Sequence, residues 1–336
     1  MRTDIISDSY IAEKSFGVHR HSIWEFVSRW PLRSLWDLQS VPLGIIAKRT
    51  WKSILKDRLF GRAAELGFYF LFALFPTLFF ASSILGLAAR SADQFYDKLL
   101  NYLALVIPTA ALGTVLETFN ETTAAATPGK LTFGLIAAIW SASVGISAIQ
   151  DALNAVYKVQ DTRSFLRARI YAIGLTVILT VVFTMILIAM LSGDFVAALA
   201  NHSTYNHFLT TTAAFFARLI GWTIATALLA LSFAVIYYWA PDLKARCWHW
   251  LTPGGAIGII GWLLASLSLR LYLHYYDSYS VTYGSLGAVI ILLSWFYITG
   301  LMLLIGAEVN SEIEAAAAQK QLAGNPTLSA SFKPSM

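Results

Sequence analysis

Residues 170–191 read IYAIGLTVILTVVFTMILIAML, 22 positions without one Asp, Glu, Lys, Arg or His. A hydrocarbon core of about 30 Å takes about 20 such residues as a helix. The run does not alternate apolar and polar residues, as a barrel strand would over about ten residues. It therefore reads as a membrane-spanning helix. Five further uncharged runs qualify, at 66–89, 131–150, 219–241, 251–269 and 278–307. The last is longer than a span requires, so 278–284 is expected to be a loop. Composition agrees: 57% of the 336 residues are hydrophobic and 13% are charged. A soluble domain carries about 25% charged residues. A soluble enzyme with a polar surface and a disordered chain are both excluded.

Charge placement gives the threading. Segments 1–62, 157–169, 239–250 and 308–336 together carry 19 Lys and Arg, and the opposite loops 90–130, 192–214 and 273–284 carry 3. Basic residues collect on the cytoplasmic side of membrane proteins, so both termini are expected there. A seventh run, 99–116, is shorter, holds Asn101, Thr109 and Thr114, and is interrupted by Pro108. Counting it as a span would carry the basic loop 158–169 outside. Residues 91–128 are therefore read as a periplasmic-side amphipathic or re-entrant segment. The expected architecture is all-α and polytopic. A cytoplasmic extension (1–62) precedes a six-helix transmembrane domain (63–314), and a disordered tail (315–336) follows.

The N-terminus shows no signal-peptide pattern, because its first long apolar run begins only near Leu66. The lone cysteine, Cys247, permits no internal disulfide and supplies too few thiols for a structural zinc site. Between Ala47 and Leu59 the apolar residues Ala47, Trp51, Ile54, Leu55 and Leu59 fall at helical spacing, with Lys48, Arg49, Lys52, Lys56 and Arg58 between them. A basic amphipathic helix with a Trp suits the cytoplasmic lipid surface. The same topology accounts for the basic residues without nucleic acid.

Small residues mark close helix contacts. Gly134, Ala138, Ser141, Gly145, Ala148 and Ala152 repeat at intervals of four and three, and Gly254, Gly258, Gly261, Ala265 and Ser268 repeat the device. Helices packed this way are expected at the centre of the bundle. Pro76 should kink the first span.

Ionisable residues near a bilayer are candidates for function. Glu65, Asp151 and Glu308 lie near the basic ends of spans one, two and six, and Arg218 and Arg270 near the far ends of spans four and five. Asp151 snorkels poorly and shares a helical stripe with Ser143, Ser147 and Asn154. The expected site is a polar cavity on the cytoplasmic side formed by Glu65, Ser147, Asp151, Asn154 and Glu308. A far-side anion site would use Arg218 and Arg270. No HExxH, P-loop, GxSxG or GxGxxG pattern appears, so no catalytic residue, metal or cofactor is assigned.

The last span carries Tyr283-Gly284-Ser285-Leu286-Gly287-Ala288-Val289-Ile290, then Trp295 and Tyr297, then Gly306-Ala307-Glu308-Val309-Asn310. Together these residues resemble the signature of the YihY/BrkB family of bacterial inner-membrane proteins. Ala63-Ala64-Glu65 with Phe68-Tyr69 and Leu74-Phe75-Pro76 is similar to that family's first span. Leu153-Asn154-Ala155-Val156-Tyr157 with Arg163-Ser164-Phe165 is similar to its second span and basic loop. The resemblance covers about residues 60–315 and implies six spans. It transfers no catalytic residue. The family once bore a ribonuclease label, and members are linked to serum resistance and envelope lipid export. The function expected here is translocation of an envelope lipid or another anionic amphiphile. Its partners would be membrane lipids, through anionic headgroups. The alternative is a scaffold for envelope assembly without transport. A nuclease would need clustered carboxylates or histidines where RNA can reach them, and nothing in the sequence supplies these.

The charge split generates a topology test. Cys247 should react only with thiol reagents that enter the cytoplasm, and cysteines placed at Ser203 and Ser278 should react from outside. Labelling of Cys247 by a membrane-impermeant reagent in intact cells would reverse the assignment.

Overall fold

A computed structural model describes residues 23, 27, 35–36, 42–88, 113, 128–203, 207–245, 247–275 and 285–324 of the chain. Its helices are α1 (Leu43–Lys56), α2 (Leu59–Ala88), α3 (Pro128–Val156), α4 (Phe165–Ser203), α5 (His207–Trp239), α6 (Pro253–Tyr275) and α7 (Ser285–Gly324). Six of them, α2 to α7, are long and apolar enough to cross a membrane. The chain is thus an all-α polytopic membrane protein with six spanning helices. Almost all of 91–128, and all of 278–284, lie outside the described residues.

The spans close into a ring. α4 pairs with α5 and α3, α3 with α2, α2 with α7, α7 with α6, and α6 touches α5; α7 also reaches α3 across the ring. The ends that carry the interhelix loops 157–164 and 240–252 hold most of the basic residues and are called the basic end below. Exposed Trp36, Trp51, Trp248 and Trp250 gather there, as aromatic residues do at a membrane interface. Between the ends, exposed Phe72, Val181, Ile188, Ile224, Ile260 and Leu264 form an apolar belt suited to lipid.

The small-residue stripe of α3 is buried along its length, from Gly134 through Ala138, Ser141, Gly145 and Ala148 to Ala152. Gly145 faces Phe70 and Tyr69 of α2, and Ser141 Oγ donates to the Phe72 carbonyl. α6 differs from the expectation. Its span is only 11% buried, against 44% for those of α3 and α7, so it sits on the rim and not at the centre. Its stripe makes one tight seam with α7. A Cβ on Gly254 would lie 1.9 Å from the Gly306 carbonyl oxygen, and one on Gly258 3.1 Å from the Met302 carbonyl oxygen. A small stripe reports how near one neighbour comes, and says nothing about how many neighbours there are.

α7 also departs from the sequence reading. It continues as helix to Gly324, so residues 315–324 are helix and not tail; 325–336 lie outside the described residues. Positions 306–318 are buried throughout. Ile46 and Leu35 cover Val309 and Ile313, while Ile23 and Val27 cover Ala315, Ala318 and Leu322. These four residues, all N-terminal to the first span, thus cover the end of α7. At about 1.5 Å per residue, 40 residues reach about 60 Å, twice the hydrocarbon thickness.

The α6–α7 seam predicts a graded response. Gly254→Ala drives a methyl into backbone and should cost at least the 1–3 kcal/mol typical of overpacking, about 2 kcal/mol or more. Gly174→Ala, with nothing within 4 Å of its Cβ, should be neutral or slightly stabilising. Thermal unfolding of the two purified variants decides it. Equal melting temperatures would remove the seam.

Candidate functional site

The basic end is held by two polar clusters built on helix termini. In the first, α3 ends with Lys158 in the left-handed region (φ 55°). The Lys158 amide donates to the Ala155 carbonyl and the Val159 amide to the Asn154 carbonyl, which caps the last turn. Glycine usually fills such a position; here a lysine does. Its Nζ pairs with Asp57 and lies 3.6 Å from Glu308 Oε1 of α7. Glu308 is 0% exposed, and neither of its oxygens has a hydrogen-bond partner among the described residues. Lys158 is thus the cation facing a buried carboxylate. Asp57 lies in the elbow between α1 and α2, where Arg58 also has a positive φ (54°). Ser53 Oγ donates to Glu312 Oε1 at 2.6 Å, which fastens α1 to α7.

The second cluster staples loop 157–164 to the α5–α6 connection. Asn154 Nδ2 donates to Asp161 Oδ2 at 3.0 Å, and the Asp242 amide donates to Asn154 Oδ1 at 2.7 Å. Arg163 Nε donates to Asp161 Oδ1 at 2.9 Å, and its Nη2 reaches the Ala240 carbonyl at 3.3 Å. The Thr162 amide and hydroxyl both donate to Asp242 Oδ2. The Arg163 guanidinium bonded to Asp161 holds that carboxyl below the usual carboxylate value, against an upward push from burial. Burial pushes the Tyr157 hydroxyl well above its ordinary value.

Beside these clusters an open pocket of about 430 Å³ lies at the membrane edge. Lys56, Asp57, Arg58, Arg62 and Glu65 line it, with Gly61 and Ala155 as its apolar floor. Three cations face two carboxylates, and Asp57 is already engaged by Lys158.

The residues singled out from sequence separate into three places. Glu65 lines the open pocket, and Asp151, exposed on α3, feels the charges of Asp161, Glu65, Arg62 and Arg163. Ser147 turns elsewhere: it donates to the Ser143 carbonyl and accepts from Arg169 Nη1 at 3.3 Å. Asn154 is the hub of the loop staple, and Glu308 is sealed behind Lys158. The structure therefore does not bring all five into one cavity. Arg218 of α5 and Arg270 of α6 both lie toward the far end. Sequence reasoning missed Lys158, Asp161, Asp242 and Arg169. Arg169 lies 4.2 Å from the Trp140 ring centroid, a cation–π contact inside a spanning segment. From sequence Arg169 stands in the basic loop just before the uncharged run, and only the start of α4 at Phe165 places it inside the helix.

Comparison with known proteins agrees with the fold. The family model described as "Virulence factor BrkB" matches residues 50–328. The "Putative ribonuclease-like protein YfkH" of Bacillus subtilis (strain 168) is 33% identical over 258 residues, 74% of this chain and 88% of that protein. A "UPF0761 membrane protein" of Xanthomonas oryzae pv. oryzae (strain PXO99A) is 27% identical over 280 residues, 82% of this chain and 62% of its own. "UPF0761 membrane protein XAC0937" of Xanthomonas axonopodis pv. citri (strain 306) is likewise 27% identical, over 268 residues. The match covers only 62% and 60% of these two Xanthomonas relatives. No solved structure matches the chain.

Two predictions follow from the clusters. Lys158→Met leaves Glu308 as an uncompensated buried carboxylate and should cost about 3 kcal/mol. Adding Glu308→Gln should recover most of that loss, and a double variant no more stable than Lys158→Met would break the pairing. For Asp161 the sign follows from its lowered value. The stabilisation it gives is complete above the ordinary carboxylate value of 3.8 and is lost as pH falls below it, through the lowered folded value. Melting temperature measured from pH 6 to 3 should fall less steeply in Asp161→Asn than in the wild type.

Proposed function

The chain belongs to the BrkB family of multi-pass bacterial inner-membrane proteins, and from that premise we propose that it moves an anionic amphiphile, such as an envelope lipid, across the membrane. The observation that carries this reading is the 430 Å³ pocket with Lys56, Arg58 and Arg62 on its wall, open where α2 enters the bilayer. Cations placed at headgroup depth attract phosphate and carboxylate groups. Two features support it. Arg58, which lines the pocket, and Lys158, paired with its Asp57, are both non-glycine residues with positive φ, and such strain of about 1–3 kcal/mol each tends to persist at binding and switching sites. The helix that leads into the pocket has three faces. Ile46, Thr50 and Ile54 are buried toward α7, Trp51 and Leu55 are exposed beside them, and Lys48, Lys52 and Lys56 follow. An exposed Trp and Leu next to three lysines suit a helix lying on an anionic lipid surface.

In this reading both termini and the pocket face the cytoplasm, as the charge split requires. Headgroups enter between α1 and α2, Asp151 and Glu65 set the local charge, and Arg218 and Arg270 receive the anion at the far leaflet. The name of the Bacillus relative raises RNA as a substrate. Among the described residues, however, no three His, Cys, Asp or Glu side chains gather as a metal set.

The test is purified full-length chain in liposomes, following a fluorescent anionic lipid and a zwitterionic one between leaflets. Wild-type chain should move the anionic lipid preferentially. Arg58→Gln with Arg62→Gln should lower the rate about tenfold or more, because a bond to a charged group contributes about 1.5–3 kcal/mol. Asp151→Asn, at an exposed site, should fold normally and abolish transport. Wild-type chain that moves no lipid would overturn the reading and leave the scaffold. Full activity in Asp151→Asn would remove only that carboxylate's role.

A further inference from the structure

A second, smaller cavity lies at the basic end and shares no lining residue with the open pocket. It measures about 40 Å³, and its wall includes Tyr157, Tyr237, Tyr238, Cys247, His249 and Glu314. A water needs about 10–15 Å³ of such volume, so about three water-sized particles fit and an organic molecule does not. Glu314 is 8% exposed, and its Oε2 has no hydrogen-bond partner among the described residues. An ionised carboxylate buried in this way is costly unless a positive charge joins it. We propose that this cavity is a binding site for one alkali cation, sodium or potassium, with Glu314 as its anionic ligand.

The groups on the wall include oxygen donors of the kind that hold a hard metal cation. Tyr237, on the cavity wall, gives its hydroxyl proton to the Leu303 carbonyl at 2.8 Å, so its oxygen remains an acceptor. Asn310 also lines it. Its Nδ2 donates to Thr252 Oγ1, and its Oδ1, accepting from the Gly254 amide at 2.9 Å, keeps a second lone pair. These groups, with the Glu314 carboxylate, place oxygen ligands on one wall. Hard oxygen ligands suit alkali and alkaline-earth ions. A single carboxylate balances one positive charge, which selects the monovalent ion. Cys247, His249 and Glu314 share the wall but do not close to a transition-metal set.

The site joins four parts of the bundle: Tyr157 after α3, Tyr237 of α5, Thr252 at the start of α6, and Asn310 and Glu314 of α7. A bound ion would draw the rim helix α6 and its tight α7 seam onto α5. This proposal stands on the cavity alone and holds whether or not the chain moves lipid.

The experiment uses full-length protein in lipid nanodiscs at constant ionic strength in choline chloride, with choline replaced stepwise by sodium or potassium at pH 7.5. Anything that binds only the folded state raises the melting temperature with its concentration. The expected result is a saturable rise with sodium or potassium that choline does not give, absent in Glu314→Gln and retained in Glu312→Gln. Should Glu314→Gln fail to fold, Glu314→Asp serves. It shortens the ligand by one carbon, so half-saturation should move to at least tenfold higher concentration. Identical melting in all three salts would overturn the proposal. So would a full shift in Glu314→Gln, or a shift that follows pH from 5 to 9 with no dependence on the cation.

Discussion

In hydrocarbon no water stands ready to satisfy a polar group, so every charge must find a protein partner or leave. Glu308 obeys this constraint at its hardest point. Its carboxyl is sealed from solvent at the basic end of α7, with Lys158 as the cation beside it. To reach it, Lys158 takes up a left-handed backbone position that a glycine would occupy without strain. Asp57 pairs with the same ammonium and thereby ties the elbow from which α2 enters the membrane to the end of α3. One buried acid therefore sets the end of α3, the elbow of α1 and α2, and the register of α7.

The same constraint explains why the spans were legible. An uncharged run of about 20 residues has few other places to go. The runs at 131–150 and 170–191 fall within one helix each, and those at 219–241 and 251–269 overrun α5 and α6 by two residues each. The end of α7 was not legible, because Glu308, Glu312 and Glu314 stop the hydropathy run while the helix continues. Glu312 and Glu308 find Ser53 and Lys158, while residues 23, 27, 35 and 46 cover the apolar positions around the acids. Such partners are more than 100 residues away in sequence, where no periodicity can see them.

Candidate residues fared likewise. Helical spacing does align Ser143, Ser147, Asp151 and Asn154 on α3, yet each finds a different environment. What a stripe faces depends on the loop that returns over it. The Asp161–Arg163 turn claims Asn154, Arg169 claims Ser147, and Asp151 stays exposed. Spacing along one helix fixes direction, and only tertiary packing fixes partners.

Polar chemistry at the basic end is thereby sorted by depth. The open pocket holds three cations and two carboxylates. Behind it Lys158 and Glu308 are closed off, and further along α7 Glu314 faces a cavity large enough only for ions and water. All three places touch either α7 or a loop fastened to it. Since α7 also holds α6 through backbone contact at Gly254 and Gly306, a change of charge in any of them acts on the same helix. A packed seam of this kind shifts between discrete arrangements and does not deform smoothly. The pocket itself is lined by the α1–α2 elbow and the end of α3, and it reaches α7 through Asp57 and Lys158, so a charge placed there bears on α7 by way of that lysine.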